Sequence, residues 1–441
     1  PHYSRTGDTD SLDVAVRSLK AMISGGIYDH VGGGFARYSV DERWDIPHFE
    51  KMLYDQALIG SALLHAWKLT GDPDIEMALQ ETIAYVLRDL TNDEGGFCSA
   101  EDADADGVEG SFTVFTPREI EEILGEDARE FCEWFNITSA GNFEGRSNPR
   151  RPPHGTIVRS PKMESLWEKV FTAREQRVRP GLDDKVLLEW NGLMLSTLAE
   201  AAAAFQNPAW MDAAKRNAAF LLNNLRAKGR WHRAWAQGHA QHTPVSADLA
   251  ALTDAFTRLY EASGEPVWLA EAVTAADLLI KEYADLVDGG SFTTANDAER
   301  LIARNKDLMD NATPGANSLG AVALIRLSPL ANRSDFREEA IAAIRLVAES
   351  IEQHPTAFGH MLQALALAHE PPIELVITGD RADLVEVAQS GFYPDVVLSW
   401  GERISDSALW EHKDDGLAFA CRDYVCKAPV STANELADLL A

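Results

Sequence analysis

Apolar positions along this chain recur mostly at the three- and four-residue spacing of a helix face rather than at the alternation of a half-buried strand. The pattern predicts helices over 11–24, 48–70, 74–90, 184–206, 208–227, 246–263, 266–286, 314–328, 334–352 and 357–369. Gly71-Asp72-Pro73, Asn207-Pro208 and Gly264-Glu265-Pro266 separate consecutive helices. Glycine or asparagine suits the residue that ends a helix, and proline suits the first helical position, where its missing N–H costs nothing. Connections this short fold neighbouring helices into antiparallel hairpins.

The other connections are long and carry a repeat of their own. They span 25–47, 92–116, 228–244 and 288–313, each rich in glycine and aromatics. Gly33-Gly34-Phe35 is echoed by Gly95-Gly96-Phe97 and Gly289-Gly290-Ser291-Phe292, with Gly229-Arg230-Trp231 a weaker copy. A spacing of roughly 60 residues between copies indicates repeated supersecondary units. Tight turns at one end and long loops at the other predict a mainly α fold, an α/α toroid of helical hairpins. Five inner helices would begin near Pro47, Asp184, Val245, Pro314 and Thr356, with their loops sharing one mouth. Helix 11–24 reads as an outer helix whose partner would precede Pro1, so the sixth hairpin reads as truncated.

Two segments depart from this pattern. Residues 117–180 hold two short helical pieces and a stretch rich in Pro, Arg and Gly, and read as an insertion or lid over the mouth. After residue 370 the period changes. Ile373–Ile377 is a strand run, 381–390 a helix, Val396–Ser399 a second strand and 417–422 a further one. The expected organisation is therefore a barrel over 1–370 and a small βαβ appendage over 371–441. The appendage lacks a GxGxxG loop, which leaves nucleotide binding unsupported.

Charge narrows the function. The formal net charge of −29 argues against binding nucleic acid or an anionic membrane through electrostatics. No apolar run approaches the ~20 residues of a membrane span, and no signal-peptide pattern opens the chain. A cytoplasmic protein is the expectation. The four cysteines, Cys98, Cys132, Cys421 and Cys426, are too few for a secreted disulfide framework. Cys421 and Cys426 are close enough for a disulfide or a shared metal, but no second pair completes a zinc site. No metal and no cofactor is expected.

Candidate chemistry gathers at 26–56, GIYDHVGGGFARYSVDERWDIPHFEKMLYDQ. Asp29 and His30 lie among four glycines. If a helix starts at His48, then His48, Lys51 and Asp55 share one face, and Glu50 and Tyr54 share the next. A surface of paired charges explains such spacing as well as a site does. At the N-terminus of an inner helix, convergent polar groups favour a pocket. The acidic loop 99–110 opens like a calcium loop at Asp102, Asp104 and Asp106, but its twelfth position is Thr113 rather than a bidentate Glu. Glu101 and Asp102 are then candidates to act beside Glu50 or Asp55. Paired carboxylates serve glycoside hydrolysis, one as acid and the other as base or nucleophile. Imidazoles such as His30 and His48 serve proton abstraction beside a carbonyl, as epimerisation requires. Tyr28, Arg37, Trp44, Lys51, Tyr54, Asp184, Trp190, Asn191 and Asn317 complete the expected substrate-binding set. Indole faces stack on sugars and amides bond their hydroxyls.

The motif at 26–56 also carries a resemblance, continued by GGFCSAEDADADGVEGSFTVFTPREI at 95–120, DDKVLLEWNGLMLSTLAEA at 183–201, DNATPGANSLG at 310–320 and CRDYVCKAPV at 421–430. The chain resembles the YyaL-type family of spermatogenesis-associated, thioredoxin-domain-containing proteins. The resemblance implies a six-hairpin glycosidase-like barrel, preceded in the family by a thioredoxin-like domain that this sequence does not carry. The expected function is a carbohydrate-active enzyme or a sugar-binding relative. Hydrolysis by paired carboxylates at the barrel mouth leads, with epimerisation through His close behind. The alternative is a non-catalytic or redox-linked module that works with the missing domain.

Overall fold

The computed structural model describes residues 1–299, 302–404, 407–423 and 425–440. It is mainly helical and divides into two compact units. One comprises His2–Asp93 and Phe97–Lys185; the other comprises Val186–Ala441 with Pro1 and Glu94–Gly96.

In the N-terminal unit, helices Leu53–Thr70 and Pro73–Asp89 form an antiparallel hairpin. Gly71 ends the first helix in the left-handed conformation at φ 64°, and Asp72 caps the second by accepting from the amides of Asp74 and Ile75. Helix Thr9–Ser24 packs against Pro73–Asp89. The expected helix from His48 begins instead at Leu53. Pro47–His48 pairs with Tyr38–Ser39, and Lys51–Met52 pairs with Ala100–Glu101, which pairs in turn with Leu182–Asp183. These ladders absorb the backbone groups that a helix would have used. The amide of Leu53 then donates to the carbonyl of Ser99. His48, Glu50 and Lys51 are thus placed by an extended segment rather than by helical faces.

The segment expected as an insertion contains a third helix that the sequence reading passed over, Pro161–Arg174. It packs with helices Pro117–Leu124 and Ala128–Trp134 around Val31, Phe115, Phe131, Phe135, Leu166 and Val170. Residues 117–180 therefore help build the core of this unit.

In the C-terminal unit, helices buried on every side alternate with helices buried on one face. Leu188–Ala204, Ser246–Ser263 and Ala316–Ala331 belong to the first kind; Pro208–Phe220, Pro266–Tyr283 and Ser334–Gln353 belong to the second. Small residues on the central helices let them approach closely, as where Gly192 meets Ala251. Leu188–Ala204 is again entered through a short strand, Val186–Leu187, paired with Ala234–Ala236. The C-terminal sheet runs Val396–Ser399, Ile373–Ile377, Ala418–Arg422, Val425–Cys426. The first pair is parallel and the others are antiparallel. A final helix, Ala433–Leu440, was not expected.

Candidate active site

Two layers of polar groups occupy the N-terminal unit. The deeper one centres on Asp29. Its carboxylate accepts from the amides of Val31 and Gly32, from Lys51 Nζ at 2.8 Å and from Arg174 Nη1 at 2.8 and 2.9 Å. The Arg174 guanidinium and the Lys51 ammonium hold this carboxyl far below the usual range although burial opposes ionisation. The glycines make room: a Cβ on Gly32 would lie 1.9 Å from Arg174 Nη2. Lys51 also donates to the Gly33 carbonyl and lies over the Tyr85 ring. His30 is 2% exposed, with Nε2 2.9 Å from the carbonyl oxygen of Gly25, and burial pushes it down to about 4, so it is neutral at pH 7. Tyr28 is buried and donates to Glu81. Glu101 accepts from Tyr85 Oη at 3.0 Å and from Arg179 Nη2 at 2.8 Å. Glu81 and Arg179 are half-buried, the other groups are buried, and all are engaged with protein partners.

The second layer is more open. Arg37 Nη1 lies 3.0 Å from Glu50 Oε2. His48 sits between two carboxylates, its Nδ1 2.9 Å from Glu109 Oε1 and its Nε2 3.7 Å from Glu50 Oε2. The Tyr38 ring stacks on the imidazole with centroids 5.1 Å apart. Asp55, in the first turn of Leu53–Thr70, is half-buried beside this set. Burial pushes its carboxyl up to about 7, with Glu50 adding to the rise and Arg37 opposing it. Among the described residues its Oδ2 is buried without a hydrogen-bond partner. Burial likewise raises the Tyr54 phenol.

Glu109 was absent from the sequence reading. The acidic stretch forms a hairpin, Asp104–Ala105 against Val108–Glu109, turned by Asp106 at φ 54° and Gly107 at φ 74°. Asp-Gly is the sequence signature of such a turn, and it carries Glu109 to His48. Asp102 is exposed, and its Oδ1 accepts from the Ala103 amide. Trp44, half-buried, occupies a turn at φ 63°, and its carbonyl accepts from the Ile27 amide. Asp184 is exposed.

The C-terminal unit holds the remaining expected residues and a cluster the sequence reading missed. Asn191 is fully buried, its Nδ2 donating to the Leu187 carbonyl and its Oδ1 accepting from Asn217. Asn317 clamps residues 291 and 307 through three backbone hydrogen bonds. Trp190 is half-buried. Beside them Arg233 bridges two acids, with Nη1 2.9 Å from Asp248 Oδ2 and Nη2 3.4 Å from Glu189 Oε2. Burial raises both carboxyls, Asp248 to about 7. Their common signal is position: each lies in the first turn of a central helix, as Asp55 does in the other unit.

No family profile matches the chain. Among solved structures it resembles the cellobiose 2-epimerase from Spirochaeta thermophila, 12% identical with TM-score 0.48, covering 78% of this chain and 72% of that one. It also resembles a sugar epimerase from a ruminal bacterium, 10% identical with TM-score 0.47, over 73% and 66% of the two chains. A third is the family 76 glycoside hydrolase, a mannosidase, of Bacteroides thetaiotaomicron, 13% identical with TM-score 0.41, over 77% and 70%. Among curated sequences, spermatogenesis-associated protein 20 of Homo sapiens is 31% identical over 97% of this chain, and its Rattus norvegicus counterpart is 30% identical over the same share. An uncharacterised Caenorhabditis elegans protein, B0495.5, is 27% identical over 98%. The chain spans 62% of the length of the human and rat relatives. Over nearly its whole length the chain is thus similar to spermatogenesis-associated protein 20.

Proposed function

We propose that the open layer of the N-terminal unit performs acid–base chemistry on a sugar. The observation that carries this reading is the Asp55 carboxyl. It is raised to about 7, half-buried, and its Oδ2 has no hydrogen-bond partner among the described residues. A carboxyl that keeps its proton near neutral pH is what a general acid needs. Glu50, held against Arg37, supplies the second carboxylate. In a hydrolytic step Asp55 protonates the leaving glycosidic oxygen, while Glu50 activates water or stabilises positive charge at the anomeric carbon. Tyr38 gives an aromatic face, and Arg37 and Tyr54 give groups that bond hydroxyls.

Epimerisation is the second reading, favoured by one feature. His48 is hydrogen-bonded through Nδ1 to Glu109, an arrangement that orients an imidazole as a base through Nε2. The length of the relatives beyond this chain is compatible with the thioredoxin-like partner domain that the resemblance implies.

The test is a panel of oligosaccharides and free aldoses, with products followed by proton NMR. Hydrolysis predicts new reducing ends, lost in both Asp55→Asn and Glu50→Gln. Epimerisation predicts exchange of one sugar proton with solvent, lost in His48→Ala. A folded protein that turns over none of them counts against the reading.

A further inference from the structure

Cys421 and Cys426 face each other directly across the antiparallel strands Ala418–Arg422 and Val425–Cys426, joined as a disulfide. The two sulfurs differ in setting. Cys421 is 2% exposed, whereas Cys426 is exposed on the edge strand of the sheet. Lys413, itself buried, directs Nζ at both, 3.6 Å from Cys421 Sγ and 3.5 Å from Cys426 Sγ. Phe419 packs its ring 4.9 Å from the same ammonium. Glu374 is buried and in register with Cys421 on the neighbouring strand, and its charge favours the protonated form of Lys413.

We propose that Cys421–Cys426 is a thiol–disulfide exchange site for a partner carrying two thiols, with Lys413 as the residue that stabilises the leaving thiolate. An exposed sulfur, a buried sulfur and a cation against both match what exchange requires: access for the nucleophile and a good leaving group. The partner's thiolate attacks Cys426 Sγ. The Cys421–Cys426 bond breaks, and Cys421 Sγ leaves with the electron pair as a thiolate beside Lys413. The partner's second thiolate then attacks its own sulfur in the mixed disulfide and releases the Cys426 thiolate. The partner's two thiols are oxidised to a disulfide. The cysteine pair is reduced and takes up the two protons those thiols lost. Burial lowers the affinity of Lys413 for its proton, and a neighbouring thiolate restores it, which couples the cation to the reduced state.

The experiment uses the whole chain with dithiothreitol as the dithiol probe, and scores the pair by alkylation and mass spectrometry. Reduction is expected without loss of the circular dichroism signal, and about tenfold slower in Lys413→Met than in Lys413→Arg. In the reduced wild type, iodoacetamide alkylation is expected to titrate below the ordinary thiol value of about 8.5, which tests the site even where Lys413→Met does not fold. Equal rates in the two variants, an ordinary thiol titration, or reduction only on unfolding would each overturn the proposal.

Discussion

At the scale of single residues, Asp55 and Asp29 show how position sets the behaviour of one side-chain type. Asp29 is sealed among two cations and two amides and stays ionised. At Asp55, Arg37 opposes the effect of burial, Glu50 adds to it, and the carboxyl keeps its proton to about pH 7. The sign of its stability effect follows. Its folded value lies above the ordinary carboxyl range, so the native state binds more protons than the unfolded state between about pH 4 and 7. Stability contributed by Asp55 is present below that window and lost through it. Asp55→Asn, which cannot ionise, is therefore expected to melt close to the wild type at pH 4 and above it at pH 8. Calorimetry across that range checks this, and a melting difference that does not change with pH would contradict it.

Elements explain how these residues are held. Helix Pro161–Arg174 delivers Arg174 to Asp29, and the strand Lys51–Met52 delivers Lys51. Removing one partner of a buried charge set leaves an uncompensated charge, so Arg174→Met is expected to cost about 3–5 kcal/mol in a urea titration. A loss below about 1 kcal/mol would show that the network holds little. Gly107→Val should strain the hairpin turn at φ 74° and loosen Glu109 from His48. The expected readout is a change in the His48 ring chemical shifts by NMR, from the lost contact with Glu109, with the rest of the spectrum unchanged.

The long helices were legible because alanine- and leucine-rich runs ended by proline and glycine announce themselves locally. Ser246–Ser263 was read to the residue. The strand over Lys51–Met52 was not legible, since two residues carry no period and their partner at Ala100–Glu101 lies far along the chain. His48, Glu50 and Asp55 were visible as residue types. The Arg174 partner of Asp29 was hidden in a helix broken from its context, and nothing in the sequence set Glu189 and Asp248 apart from other acids near helix starts.

On the scale of the whole molecule, the formal net charge of −29 bears on every carboxyl. A negative field disfavours further ionisation, but salt screens it over roughly 8 Å at physiological ionic strength. The rise at Asp55 comes first from burial, which salt does not remove. Among the described residues no helix is long and apolar enough to cross a membrane. The most direct measurement is a carbon-13 carboxyl titration of Asp55, assigned through Asp55→Asn, at low and high salt. The account predicts a midpoint at about 7 in both. A midpoint near the ordinary value of about 4, or one that falls to it at high salt, would remove the general acid and contradict the proposed chemistry.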